Sequence, residues 1–104
     1  MILRSALPVG PRAVSRPARI VLRMRAVFVM VKTSPGHGTA VANRIAEIDA
    51  FSEAYSITGQ YDLLAKFYIE DIDQVARFIE REVHAIPHIV ETFTILTFEA
   101  FGSG

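Results

Sequence analysis

The chain has 104 residues, which is room for one small domain and not for two. Hydrophobic residues make up 51% and charged residues 21%, enough apolar surface for a packed core, and the lack of any cysteine excludes disulfides, zinc-thiolate centres and a cysteine nucleophile. The net charge of zero joins two unlike parts: residues 1–25 hold six arginines and no acidic residue, a charge of +6, and from Ala26 onward five basic residues face eleven acidic ones, a charge of −6. Sequence-independent nucleic-acid binding rests on neutralising phosphates, so direct DNA binding is not expected of an acidic folded part. No window approaches the roughly 18 apolar residues of a membrane span, and no membrane partner is expected.

Residues 1–25 carry Pro8, Gly10, Pro11 and Pro17 and no sustained hydrophobic period, so the segment reads as irregular. It is rich in arginine like a basic arm or an organelle transit peptide, but patterned sequence begins at once after Met24, and the preferred reading takes Met24 as the initiator. Ala26 to Thr33 then reads as a buried strand, with Val27, Val29 and Val31 on one face and Phe28 and Met30 on the other. Ser34-Pro35-Gly36-His37-Gly38 breaks it. Thr39 to Ile48 places Val41, Ile45 and Ile48 on one stripe of a helix, with Ala42 and Ala46 beside them. Phe51 to Thr58 alternates as a second strand, with Phe51, Glu53, Tyr55 and Ile57 on one face. Gly59-Gln60 supply a tight turn, and Tyr61 to Ile69 forms a third strand hairpinned to the second. Asp71 caps a second helix, with Gln74 placed for a capping box and Ile72, Val75, Ile79 and Val83 as its apolar stripe. Pro87 stops that helix, Ile89 to Phe98 returns as a fourth strand, and residues 101–104 form a flexible tail.

The order strand, helix, strand, strand, helix, strand predicts an α+β fold, the ferredoxin-like βαββαβ arrangement of a four-stranded antiparallel sheet with two helices on one face. The uncovered face would present large apolar side chains, so a second copy is expected to pair with it, giving a homodimer with its sheets face to face.

Motifs for catalysis are sparse. The chain has no P-loop, no G-x-G-x-x-G after a strand, no H-E-x-x-H and no G-x-S-x-G, and no cofactor is called for. His84 and His88 have the spacing of two metal ligands on a helix, but Pro87 stands between them and they read as helix-end and turn residues. His37, flanked by Gly36 and Gly38, faces either a ligand or, by preference, water. More informative is Thr58-Gly59-Gln60-Tyr61-Asp62, where a glycine lets backbone N–H groups turn outward to hold a carboxylate and Asp62 supplies a negative charge close by. Backbone donors and one carboxylate match the two ends of a zwitterion. The plainer alternative is that Gly59 only permits the turn and Asp62 bonds to its own backbone.

The run Tyr55-Ser56-Ile57-Thr58-Gly59-Gln60-Tyr61-Asp62-Leu63-Leu64 is followed by Asp71, by Phe78-Ile79, and by Ile86-Pro87-His88-Ile89 with Thr92 and Thr94. Together these resemble the effector domain of the leucine-responsive/asparagine regulator (Lrp/AsnC) family, from about Val27 to Phe98. The resemblance implies residues 26–100 as a ligand-binding domain and a dimeric α/β barrel, assembling further into an octamer-like ring of dimers. It also implies a cytoplasmic, non-catalytic sensor of free amino acids bound between dimers, with full-length regulators as further partners. The ligand-contacting positions it implies are Gly59, Tyr61 and Asp62, with Thr58, Gln60 and Thr94 as weaker candidates. Two departures stand out: residues 1–25 are too few for a helix-turn-helix domain, so the likeness is to a stand-alone module, and His88 occupies the family's usual glycine position after proline. A small dimeric-barrel enzyme, such as a cofactor-poor monooxygenase or isomerase using His37 or His84 as base, and a purely structural assembly partner are the alternatives, which fold alone does not separate.

Overall fold

Along the first strand valine alternates with larger or charged residues, and this alternation decides which way the sheet faces. In the computed structural model, which describes residues 24–99, 101 and 102, β1 runs Arg25–Thr33 and buries Val27, Val29 and Val31 completely. It is followed by α1 (Gly38–Ile45), β2 (Phe51–Ser56), β3 (Leu63–Ile69), a second helix α2 over residues 72–83, and β4 (Ile89–Leu96). The strands form one antiparallel sheet in the order β2-β3-β1-β4, with β1 and β3 at its centre. Both helices contribute their apolar stripes to the valine face: Val41, Ala42 and Ile45 from α1, and Val75, Ile79 and Val83 from α2, are buried with Ala65 and Phe67 of β3. This is the expected ferredoxin-like α+β fold.

Residues 1–23, 100, 103 and 104, and with them most of the basic segment, the question of an initiator at Met24 and the end of the tail, lie outside the described residues. Arg25 does not belong to an irregular segment as expected, because it already pairs with Ile69. Among the described residues no helix is long and apolar enough to cross a membrane.

Three local features depart from the expected pattern. In β2 the register shifts between Phe51 and Glu53, so that Phe51 and Ala54 turn to the core while Glu53 and Tyr55 oppose Lys66 and Leu64 on the open face. A bulge inserts one residue and exchanges the two faces, which strict alternation does not anticipate. The β2–β3 connection is longer than a two-residue turn, since β2 ends at Ser56 and β3 starts at Leu63, and the loop is closed by the Ile57 N–H donating to the Asp62 carbonyl at 3.0 Å. Helix α2 is not uniformly α-helical: a 3-10 turn (Ile72–Gln74) leads into an α turn (Val75–Phe78) and a π turn (Ile79–Val83). Its stripe is spaced three, then four, then four. A 3-10 turn aligns residues three apart, and the wider π turn removes the drift that spacings of four accumulate at about 3.6 residues per turn, so the mixture keeps all four apolar residues toward the sheet. Asp71 caps it as expected, its carboxylate accepting from the Asp73 N–H at 2.9 Å.

A candidate ligand-binding hairpin

The connection between β2 and β3 is fixed at its base by Asp62. The Asp62 N–H donates to the Val31 carbonyl at 2.9 Å, and its carboxylate Oδ2 accepts from the Thr33 N–H at 2.8 Å and from the Thr33 hydroxyl at 3.2 Å. The side chain thus continues the β1–β3 ladder one step beyond Leu63, where backbone pairing has ended. The plainer alternative has the Asp62 side chain bonding to its own backbone; here the carboxylate instead reaches Thr33 and ties the hairpin to the end of β1. Thr33, which the sequence reading did not single out, is its partner. A signal for it exists, because Thr33 is the one polar residue in the inward series Val27, Val29, Val31, Thr33, and a buried hydroxyl needs a partner.

Above this base, Thr58, Gly59 and Gln60 are exposed and Tyr61 is half-buried. Gly59 has φ +109 and a Cβ there would meet nothing within 4 Å, so glycine is required by the torsion and not by crowding. Among the described residues, the backbone N–H groups of Thr58, Gly59, Gln60 and Tyr61 donate to no backbone carbonyl. At the hairpin base a half-open pocket of about 120 Å3 is lined by Gly38, Thr39 and Ala42 of α1 with Ser56, Asp62 and Leu63, and of the candidate residues only Asp62 lines it. The Tyr61 hydroxyl donates to Glu91 Oε2 at 2.9 Å, and this bond first, with burial and the Glu91 charge adding to it, raises the phenol above its ordinary pKa.

Five of the six candidate residues therefore stand together, and Thr94 stands apart. It pairs with Val29 in the middle of β1, on the helix-covered face, whereas the hairpin meets β1 at Thr33. The histidines have other duties. His37 is partly exposed, and one face of its ring stacks on the exposed His88 with centroids 3.6 Å apart and planes 7° from parallel. His84 Nε2 lies 2.9 Å from the Thr92 hydroxyl, and neither His37 nor His84 lines the pocket. Among the described residues no group of three His, Asp or Glu side chains could hold a metal ion.

Residues 26–103 match the family model of the Lrp/AsnC ligand binding domain. The chain belongs to the Lrp/AsnC family. Among curated proteins this Lrp/AsnC domain is 28% identical over 75 residues to an uncharacterized HTH-type transcriptional regulator of Pyrococcus abyssi, covering 69% of this chain and 50% of that protein. The chain spans about half the length of the curated relatives it matches. Among solved structures it superposes on a Thermus thermophilus protein with a TM-score of 0.71 at 28% identity, covering 76% of this chain and 99% of that one. A Neisseria meningitidis transcriptional regulator, solved as a complex with L-Met, shares the fold at a TM-score of 0.70 and 12% identity, covering 84% of this chain and 57% of that one. His88, the residue after Pro87, adopts φ +74, the left-handed conformation that glycine favours.

Proposed function

We propose that this Lrp/AsnC domain is a non-catalytic effector module that binds a free amino acid at its β2–β3 hairpin, in a contact between dimers, and thereby biases the assembly of transcription regulators in the cytoplasm. The observation that carries the reading is the row of N–H donors at Thr58, Gly59, Gln60 and Tyr61 that no backbone carbonyl takes, next to the Asp62 carboxylate. Such donors can receive the carboxylate of an amino acid, and the Asp62 oxygen opposite the Thr33 bonds can receive its ammonium. The pocket at Asp62, about 120 Å3, is smaller than the roughly 300 Å3 at which self-sufficient ligand sites begin and does not reach Thr58–Tyr61, which favours a site completed by a neighbouring dimer. The L-Met complex of the Neisseria relative supports an amino acid as the ligand class. Binding at such a contact shifts assembly only by the difference in affinity between the assembled and separated states, which is what makes the module a switch.

A thermal-shift panel of the twenty free amino acids tests this, with Asp62→Asn beside the wild type. Asparagine keeps an acceptor for Thr33 and removes the charge, whereas alanine would also release the hairpin from β1. A ligand at 100 times its Kd adds about 2.7 kcal/mol, worth roughly 10 °C or more in so small a domain. We expect a selective rise in midpoint that Asp62→Asn abolishes. No rise with any amino acid at millimolar concentration overturns the reading, and an undiminished rise in Asp62→Asn removes Asp62 from the site.

A further inference from the structure

Tyr61 does not point back along its own hairpin. Its hydroxyl reaches Glu91 on β4 at 2.9 Å and its ring lies 6.3 Å from that of Phe93, centroid to centroid. Asp62, the next residue, is held by Val31 and Thr33 of β1, and Glu91 pairs with Lys32 on the opposite edge of that strand. The tyrosine side chain therefore crosses the end of β1, from the β3 side to the edge strand. Glu91 is the only charged residue of β4, and among the described residues it forms no ion pair with Lys32 although the ladder sets the two opposite each other. Phe93, paired with Met30, stands on the face of the sheet that the helices leave open, and it is half exposed.

We infer that Glu91 is a positioning residue for the binding hairpin: by anchoring Tyr61 to β4 it holds the Thr58–Tyr61 backbone in the arrangement that presents its N–H groups, and it links the hairpin mechanically to the open sheet face. The inference rests on the hairpin being the amino-acid site, and it adds a residue on a different strand that touches no ligand itself. Without the anchor the loop would remain tied at Asp62 only, and each bound amino acid would first have to order the residues that receive it. The link also gives occupancy of the hairpin a route to Phe93, on the surface where a second copy is expected to dock.

The test compares the full chain with Glu91→Ala and Glu91→Gln, since glutamine keeps an acceptor oxygen within reach of the phenol. Backbone 15N order parameters of Thr58–Tyr61, measured without amino acid, should stay near the rigid value of about 0.85 in the wild type and Glu91→Gln and fall below about 0.6 in Glu91→Ala. Amino-acid affinity by calorimetry should weaken about tenfold in Glu91→Ala and recover in Glu91→Gln, with the melting midpoint of the free protein moving by no more than about a degree. A hairpin equally rigid in Glu91→Ala, or one already mobile in the wild type, overturns the inference. So does unchanged affinity in Glu91→Ala. A wild type that binds no amino acid removes the site reading instead, and the order parameters then still decide whether Glu91 fixes the hairpin.

Discussion

His88 holds a backbone torsion, φ +74, that a residue with a Cβ adopts at about 1–2 kcal/mol relative to the right-handed region. Its carbonyl accepts from the Ser34 N–H at 2.9 Å, so the torsion is imposed by closure of the loop onto β1, and its ring gains a stacking contact with His37 that offsets part of the strain. The two contributions separate experimentally. His88→Ala keeps the strain and loses the stack, whereas His88→Gly loses both. Urea unfolding should therefore place the glycine variant about 1 kcal/mol above the alanine variant and within about 0.5 kcal/mol of the wild type, with unchanged m. Alanine and glycine variants of equal stability would mean that the torsion is relaxed in solution. Gly36 illustrates the same constraint met in the ordinary way: it follows Pro35 at φ +83 in the turn closed by the His37 N–H on the Ser34 carbonyl at 3.0 Å, the pattern of a type II turn.

At the level of elements, helix α2 depends on its first turn. Asp71 is the N-cap, in an extended conformation, and its carboxylate satisfies the Asp73 N–H that a short 3-10 turn leaves without a partner. Asp71→Ala should lower stability by about 1 kcal/mol, with Asp71→Asn retaining most of it, as measured by denaturant unfolding; an alanine variant within about 0.3 kcal/mol of the wild type would show that the cap contributes nothing. The position of this cap was readable in the sequence because capping is local, and the alternation of β1 and β3 and most of both apolar stripes were readable for the same reason, except that α1 ends at Ile45 and Ile48, expected on its stripe, is buried from the turn beyond it. The bulge in β2 was not, because it exists only relative to the register of β3, which the residues between Phe51 and Ser56 do not encode by themselves. The site divides in the same way. Gly59, Tyr61 and Asp62 announce a hairpin with outward donors, whereas the bonds that hold it join Asp62 to Thr33 and Tyr61 to Glu91, partners 29 and 30 residues away in sequence. A pattern read over a few neighbouring residues contains the donors and not their supports.

For the molecule as a whole, the helices cover one face of the sheet and leave the other to Phe28, Met30, Leu64 and Tyr68 with Phe93 and Ile95 of β4. Lys66 lies within it, its ammonium 4.9 Å from the centre of the Tyr68 ring and 5.8 Å from that of Phe28, so even the charged residue of this face is spread over aromatic surface. If this face carries the proposed dimer, Met30→Glu, set between Leu64 and Phe93 in the ladder, should turn a dimer into a folded monomer in sedimentation velocity at tens of micromolar; a wild type that is already monomeric there would sink the dimer reading. The strand order has a different consequence for the chain as it is made. β1 is the centre of the sheet, yet both of its neighbours are encoded far downstream: Val29 meets Ala65 and Thr94. Pairings so distant form slowly, because the intervening loop must close before any contact rewards it. While the ribosome is still translating, the Ala26–Val31 run, apolar and rich in β-branched residues, has emerged without a partner and remains open to aggregation or chaperone capture until β3 follows.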